Sequence, residues 1–190
     1  WLSRMTYTGD LGYEIWIAPE YQRYLFDLIW DAGKEFDMRL FGFRALITMR
    51  LEKNFGTWFR EYRPIYTPLE AGMDRAMKFD HDFIGRAAVE AEMKTGPARK
   101  LVMFKVDVDK DRPADVIGDE PVFHNGEVVG WITSGGYAHY SGVSLAMGYI
   151  PAELANDKTT GFEIEIIGNM RPATLQLEPV LDPSGSRMRA

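Results

Sequence analysis

Cysteine is absent from this chain of 190 residues, and histidine is scarce. Without cysteine the protein has no disulfide, no thiolate metal ligand and no cysteine nucleophile. The three histidines, His81, His124 and His139, lie far apart in the sequence. None has a second histidine four residues away, which would place both rings on one helical face for a shared metal ion. We therefore expect no metal site.

Long apolar runs are also missing. No segment approaches the roughly 18 uninterrupted apolar residues that a membrane helix needs, and the N-terminal segment lacks a basic stretch followed by an apolar block. Lysine and arginine are scattered singly in a chain of net charge -6, so no basic stripe is present to neutralise a phosphate backbone. We expect a soluble, unsecreted, cytoplasmic protein that binds neither membrane nor nucleic acid.

What the chain does contain is enough apolar material for a core, since 46% of its residues are hydrophobic. It starts with Trp1 and enters a strand pattern almost at once, without an initiator methionine. We therefore expect it to be the tail of a longer protein.

The first half of the sequence mixes one strand with helices. Residues 13–17 alternate as a strand does, and Pro19 suits the first turn of a helix because its missing amide is not needed there. Apolar residues then recur at steps of three and four, which predicts a helix whose apolar stripe packs on a sheet. The stripe consists of Leu25, Leu28, Ile29, Ala32 and Phe36. Residues 43–53 and 85–94 predict two further helices.

The second half consists of short runs typical of β-strands. Asn125-Gly126 is a strong hairpin signal because both residues tolerate positive φ, and Gly168-Asn169 suggests a second hairpin. Six short strands predict a small antiparallel barrel, which removes unpaired edges. The runs are 101–108, 121–124, 127–133, 143–150, 162–167 and 171–177.

The expected fold class is therefore α+β, divided near Gly96-Pro97. Residues 1–97 form part of an α/β domain, and residues 98–190 form the barrel domain.

Five blocks of the sequence carry a family resemblance. They are YTGDLGYEI (7–15), FGFRALITMRLEKNFGTW (41–58), TPLEAGMDRAMKFDHDFIGRAA (67–88), GEVVGWITSGGYAHYSGVSLAMGYI (126–150) and PVLDPSG (179–185). In this order they resemble the C-terminal part of the glycine-cleavage T-protein (aminomethyltransferase) family. Within that family they look most like the folate-binding region of dimethylglycine and sarcosine dehydrogenase-type oxidoreductases. The resemblance covers nearly the whole chain.

The resemblance implies a tetrahydrofolate site. Members of the family bind tetrahydrofolate in a central hole among three subdomains, and the glutamate of a YTGxxGYE block receives the pterin. Glu14 stands at that position. A 2-amino-4-oxo pyrimidine edge presents two adjacent N–H donors, which the two oxygens of a carboxylate can accept together. Without the resemblance, Glu14 would be a solvated residue on an edge strand. Tyr7 matches a family tyrosine near the folate and the reacting amine.

Two arginines complete the cofactor-binding residues that the resemblance implies. Arg44 and Arg50 belong to the second predicted helix, and a guanidinium there pairs with Glu52 or Glu14, or reaches the glutamate tail of folate. These alternatives stay open. The block with Gly135-Gly136-Tyr137 predicts a loop near the folate mouth. The catalytic residue is unknown, because the aspartate that acts in this family lies in a front half that the chain does not include.

Three functions fit these observations. The first is the folate-binding part of a flavin-linked N-methyl amine oxidase, the second is a free-standing T-protein that receives an aminomethyl group from a lipoyl carrier, and the third is a non-catalytic folate-binding accessory module. The expected partners are folate, a small N-methylated amine or aminomethyl donor, and a missing N-terminal half or oxidoreductase domain. FAD is expected only in an upstream domain, because no G-x-G-x-x-G follows a strand here.

Overall fold

The N-terminal part combines a small sheet with three helices. The structure is a computed structural model that describes residues 1–109, 111 and 114–190. Strand β1 (Leu2–Ser3) pairs antiparallel with β2 (Glu14–Ile15). The helices are α1 (Gln22–Gly33), α2 (Phe43–Glu52) and α3 (Arg86–Thr95). The three predicted helices are confirmed, and α1 follows a 3-10 turn that begins at Pro19, as expected.

The C-terminal part is a closed six-stranded barrel in the strand order β3-β6-β5-β4-β7-β8, with every neighbouring pair antiparallel. The predicted α+β class with a small antiparallel barrel is therefore confirmed. The strands are β3 (Arg99–Val106), β4 (Pro121–His124), β5 (Glu127–Ala138), β6 (Val143–Pro151), β7 (Phe162–Ile166) and β8 (Asn169–Gln176).

Both predicted hairpins form, and one is shifted. Asn125 and Gly126 adopt φ values of 53° and 83°, as a type I′ turn requires. In the second hairpin the positive φ values fall on Ile167 (49°) and Gly168 (71°), one residue earlier than predicted. Asn169 instead begins β8, and its side-chain amide donates to the carbonyl oxygen of Ile167 at 2.9 Å.

Strand β5 is longer than predicted. The expected loop at Gly135-Gly136-Tyr137 is wrong, because all three residues lie in β5 and pair with β6 residues, Gly135 with Ala146 and Tyr137 with Ser144. The glycines of this segment favour a turn, but the segment forms a strand because pairing with β6 satisfies its backbone hydrogen bonds. The extension matters for the site, because α2 packs against β5 and β6.

Two apolar clusters form the core. The larger fills the barrel around Phe104, Ile132 and Phe162. The smaller lies where α2 meets the barrel and contains Leu51 and Met147. The end of α2 is thereby fixed to the barrel wall, which gives the side chains that follow it defined positions.

Helix α1 does not pack on a sheet, contrary to the prediction from its apolar stripe. Among the residues that the structure describes, Gly33 is the only buried residue of this helix. Leu28 and Ile29 are exposed, and Phe26 stacks on Trp30 with ring centroids 6.2 Å apart. Periodicity shows that a helical face is apolar, but it does not show what covers that face. Across the described ranges, no helix is both long enough and apolar enough to cross a bilayer.

The barrel generates a stability prediction at Gly130. A Cβ atom at Gly130 would lie 2.0 Å from the carbonyl oxygen of Tyr149 in β6. We expect Gly130→Ala to lower the free energy of unfolding by about 1–3 kcal/mol, because the two strands must separate to admit a methyl group. Urea denaturation would measure this. Gly42→Ala is the control, since no atom lies within 4 Å of the added methyl group there. Equal stability of the two variants would contradict the close approach.

Candidate functional site

The segment that precedes Glu14 is a closed loop of residues 5–12 between β1 and β2. The backbone amide of Met5 donates to the carbonyl oxygen of Gly12 at 3.2 Å, which closes the loop. Inside it, the amide of Gly9 donates to Oγ1 of Thr6 at 3.2 Å. Glu14 therefore follows a loop with its own hydrogen bonds.

Glu14 lies on β2 opposite Ser3, and its side chain is exposed. Within the described residues, its carboxylate makes no hydrogen bond or ion pair, so both oxygens are open to a ligand. The aromatic neighbours Tyr13 and Trp16 are exposed as well. Of Tyr13, 56% is accessible. The two-stranded sheet leaves the side chains of Leu2, Glu14 and Ile15 exposed.

Tyr7 is tied to the segment after α2. Its hydroxyl donates to the carbonyl oxygen of Gly56 at 2.8 Å, and its ring stacks on Phe55 with centroids 6.4 Å apart. Burial raises the pKa of the Tyr7 phenol, against the opposing effect of the Arg50 cation. The phenol is therefore a neutral donor near pH 7.

Arg50 lies inside the protein, with 1% of the residue accessible. Its Nη1 contacts Oε2 of Glu61 at 3.2 Å and donates to the carbonyl oxygen of Phe55 at 2.8 Å. Neither of the intramolecular partners expected from the sequence, Glu52 and Glu14, is its ion-pair partner; Glu61 is. The guanidinium therefore holds the segment on which Tyr7 rests.

Glu61 is the centre of this buried network. Its carboxylate accepts hydrogen bonds from the amide of Thr57 at 2.7 Å, from the hydroxyl of Thr57 at 3.0 Å and from the hydroxyl of Ser134 at 2.6 Å. Burial raises the pKa of Glu61, but Arg50 and the Ser134 hydroxyl outweigh it and the pKa lies below its ordinary value. Glu61 thus joins α2, the segment after it and β5. Sequence reasoning missed this residue, because its segment has no periodic pattern.

Arg44, by contrast, is exposed on the first turn of α2. Its guanidinium makes no ion pair with any residue that the structure describes. Of the four residues predicted to bind the cofactor, Glu14 and Arg44 are thus accessible, Tyr7 is half-buried and Arg50 is internal.

The end of α2 binds two other parts of the chain. The Glu52 carboxylate accepts hydrogen bonds from the amides of Tyr140 and Ser141, both at 3.1 Å, and so fixes the turn between β5 and β6. The ammonium of Lys53 contacts the carbonyl oxygen of Asp182 at 2.7 Å and its carboxylate at 3.1 Å. Consecutive residues of one helix end therefore anchor the barrel turn and the C-terminal segment.

A cavity of about 490 Å³ opens beside the loop of residues 5–12. Its size lies in the range of small-molecule sites. Two guanidinium groups make its wall positive although the chain as a whole has a net charge of -6. The lining residues are Arg4, Met5, Thr6, Gly12, Met188 and Arg189.

Both halves of the chain match models of known protein families. The family model described as the GCVT N-terminal domain matches residues 1–81, and the one described as the glycine cleavage T-protein C-terminal barrel domain matches residues 99–182. The chain belongs to the glycine cleavage T-protein family. The resemblance carried by the five sequence blocks is confirmed.

Relatives of this T-protein family chain include enzymes of two kinds. Over 98% of its length it is 36% identical to the mitochondrial dimethylglycine dehydrogenase of Rattus norvegicus, of which it covers 22%. Over 96% of its length it is 30% identical to a probable aminomethyltransferase of Pyrococcus horikoshii, of which it covers 50%. The crystal structure of aminomethyltransferase T from Bartonella henselae matches 96% of the chain with a TM-score of 0.82 at 25% identity. The chain spans half or less of each of these proteins.

The Arg50–Glu61 pair generates a stability prediction. Glu61→Gln leaves the Arg50 cation buried without its counter-ion, so we expect the free energy of unfolding at pH 7 to fall by about 3–5 kcal/mol. Urea denaturation would measure the loss. Glu90→Gln is the control, because its ion pair with Arg86 at 2.8 Å is partly exposed and should contribute at most about 1 kcal/mol. Equal losses in the two variants would contradict a structural role for the buried pair.

The same pair predicts a pH dependence. The pKa of Glu61 is lower in the folded protein than its ordinary value of 4.5, so its contribution to stability is present above pH 4.5 and is lost as the pH falls below that value. We expect the stability of the wild type to decline more steeply than that of Glu61→Gln in this acid range. Thermal unfolding between pH 3 and 6 would compare them, and parallel curves would contradict the lowered pKa.

Proposed function

We propose that this chain binds tetrahydrofolate, with Glu14 receiving the pterin, as part of a protein that transfers a one-carbon unit from an N-methyl or aminomethyl group to the folate. The observation that carries the proposal is the state of the Glu14 carboxylate. It is exposed, it stands in the YTGxxGYE block of the family, and no described residue occupies its oxygens. The bound folate would supply the acceptor for the one-carbon unit.

Comparison with the three buried glutamates supports this assignment. Glu52, Glu61 and Glu70 are buried, and each accepts hydrogen bonds from the protein itself. A carboxylate already saturated by internal donors cannot accept the two adjacent N–H groups of a pterin edge. Glu14 retains that capacity, so the residues present fit the group.

Two of the other three predicted residues support the site in different ways. We propose that Tyr7 offers its ring face to the ligand while its hydroxyl stays on Gly56. Arg50 would act indirectly, because it holds the carbonyl of Phe55 beside that contact.

The third residue, Arg44, is the accessible cation of the set, and we propose that it attracts the glutamate tail of folate. The positive cavity beside the loop would attract the same carboxylates.

The exposed apolar side chains favour a larger assembly. Aromatic residues on α1 and on the β1–β2 unit, among them Trp16 and Trp30, are uncovered in the described structure. Surfaces of this kind usually pack against a partner. We propose that a further part of a longer protein, such as the rest of a three-subdomain folate site or an oxidoreductase domain carrying FAD, covers them. The cytoplasmic location expected from the sequence stays a prediction.

Two reaction types remain candidates for that longer protein. Similarity to dimethylglycine dehydrogenase favours capture of a one-carbon unit released by oxidation of an N-methylated amine, and similarity to aminomethyltransferases favours transfer from a lipoyl carrier. A non-catalytic role is the third candidate, because the chain, over 93% of its length, is 32% identical to a protein named as a regulatory subunit, that of mitochondrial pyruvate dehydrogenase phosphatase in Mus musculus, of which it covers 22%. Dimethylglycine oxidation would identify the first reaction, and ammonia release dependent on a lipoylated carrier the second.

The binding proposal is tested by titrating folinic acid into the protein by calorimetry. We expect Glu14→Ala to weaken binding by about 10- to 100-fold, because hydrogen bonds to a charged carboxylate are lost. Glu20→Ala is the matched control, since it removes an exposed glutamate close by in the sequence and should leave binding unchanged. If the native full-length protein binds no folate, or if both variants bind as the wild type does, the proposal is wrong.

A further inference from the structure

The loop of residues 5–12 is held to the body of the protein at three points. The first is the hydrogen bond from Tyr7 to Gly56. The second is a packing contact between Gly9 and the stem of Lys53. The third is an ion pair between Asp10 and Arg187, with Oδ1 and Nε 3.0 Å apart. The second and third points both lead to the C-terminal segment.

The contact at Gly9 requires glycine. A Cβ atom here would lie 2.1 Å from Cγ of Lys53, and the backbone φ of Gly9 is +90°. The lysine stem therefore lies directly against the loop backbone, while its ammonium reaches the backbone and the carboxylate of Asp182. One side chain thus contacts both the loop and the C-terminal segment.

Asp182 organises the C-terminal segment around its carboxylate. Its Oδ1 accepts from the amide of Ser186 at 3.0 Å and from the Ser186 hydroxyl at 2.7 Å, and its Oδ2 accepts from the amide of Arg187 at 3.1 Å. The hydrogen bond from the Ser186 hydroxyl lowers the pKa of the Asp182 carboxyl, so this group stays ionised near neutral pH. These bonds fix the direction in which Arg187 leaves the segment.

Arg187 bridges the loop and the barrel. Its guanidinium carbon lies 5.3 Å from the ring centroid of Tyr140, within cation–π range, while its Nε faces Asp10. Tyr140 is itself held by the bond from its amide to Glu52. Arg187 therefore sits between a barrel turn that α2 fixes and the loop that leads into Glu14.

We propose that residues 182–187 form a latch that sets the conformation of the 5–12 loop, and that Arg187 is a positioning residue for the folate site. The latch begins at Asp182, passes through the turn held by Ser186 and ends at the Asp10–Arg187 pair. Only three residues separate Asp10 from Glu14, so a change in the loop is carried directly into β2. The positioning role rests on the proposed function, whereas the latch is a property of the ligand-free protein.

The latch can be broken without unfolding the protein. Arg187 and Asp10 have side chains that are 39% and 56% accessible, and ion pairs with such exposure contribute little to global stability. The pair therefore offers variants in which local order of the loop changes while the melting temperature stays close to that of the wild type.

The experiment compares Arg187→Ala with Arg86→Ala, which breaks a partly exposed pair with Glu90 elsewhere. In ligand-free protein, we expect amide hydrogen exchange across residues 5–12 to become faster in Arg187→Ala and to stay unchanged in Arg86→Ala. Folinic acid should bind Arg187→Ala about three- to tenfold more weakly. The charge-swapped variant Asp10→Arg/Arg187→Asp should recover part of both losses, which a merely structural role of Arg187 would not produce.

The possible outcomes distinguish the latch, the positioning role and the proposed function. Unchanged exchange in Arg187→Ala overturns the latch. Faster exchange with unchanged folinic acid affinity overturns the positioning role. If the wild-type protein binds no folinic acid, the proposed function and the positioning role both fail, while the exchange data still decide the latch.

Discussion

The buried ion pair between Arg50 and Glu61 is the interaction on which the rest of the site depends. It crosses from α2 to the irregular segment after it, and Ser134 extends it into the barrel wall. Removing both charges from water is costly, and the cost is offset here because Glu61 accepts several further hydrogen bonds. The pair fixes where the chain leaves α2. It thereby fixes Phe55 and Gly56, the platform for Tyr7.

The polar side chains at the end of α2 contact different parts of the protein. Arg50 binds the buried Glu61, Glu52 binds the turn between β5 and β6, and Lys53 binds the C-terminal segment. The barrel thus serves as a rigid base for α2, and the loop that leads to Glu14 contacts the end of α2, the segment after it and the C-terminal segment. The loop therefore has a defined position in the folded protein, although the strands that flank it, β1 and β2, form a sheet separate from the barrel.

Predictions from the sequence were correct where a structure is determined by residues close together in the chain. The barrel followed from alternation and from Asn125-Gly126, since strand period and turn chemistry are set by neighbouring residues. Glu61 gave no such signal, because its partners are distant in sequence and only the folded chain brings them together. For α1 the pattern identified an apolar face but not the part of a protein that packs against it. Glu14 was found through family resemblance, and the structure adds that its carboxylate has no internal partner within the described ranges.

The distribution of tryptophan has a practical consequence for spectroscopy. Trp1, Trp16, Trp30 and Trp58 are exposed, whereas Trp131 is partly buried on β5, where its indole N–H donates to the Tyr66 hydroxyl at 3.0 Å. Intrinsic fluorescence of this chain therefore contains two separable contributions. Emission from the exposed indoles shifts to the blue when another domain or protein packs on the N-terminal part and buries them. Emission from Trp131 shifts to the red when its contact with Tyr66 is lost.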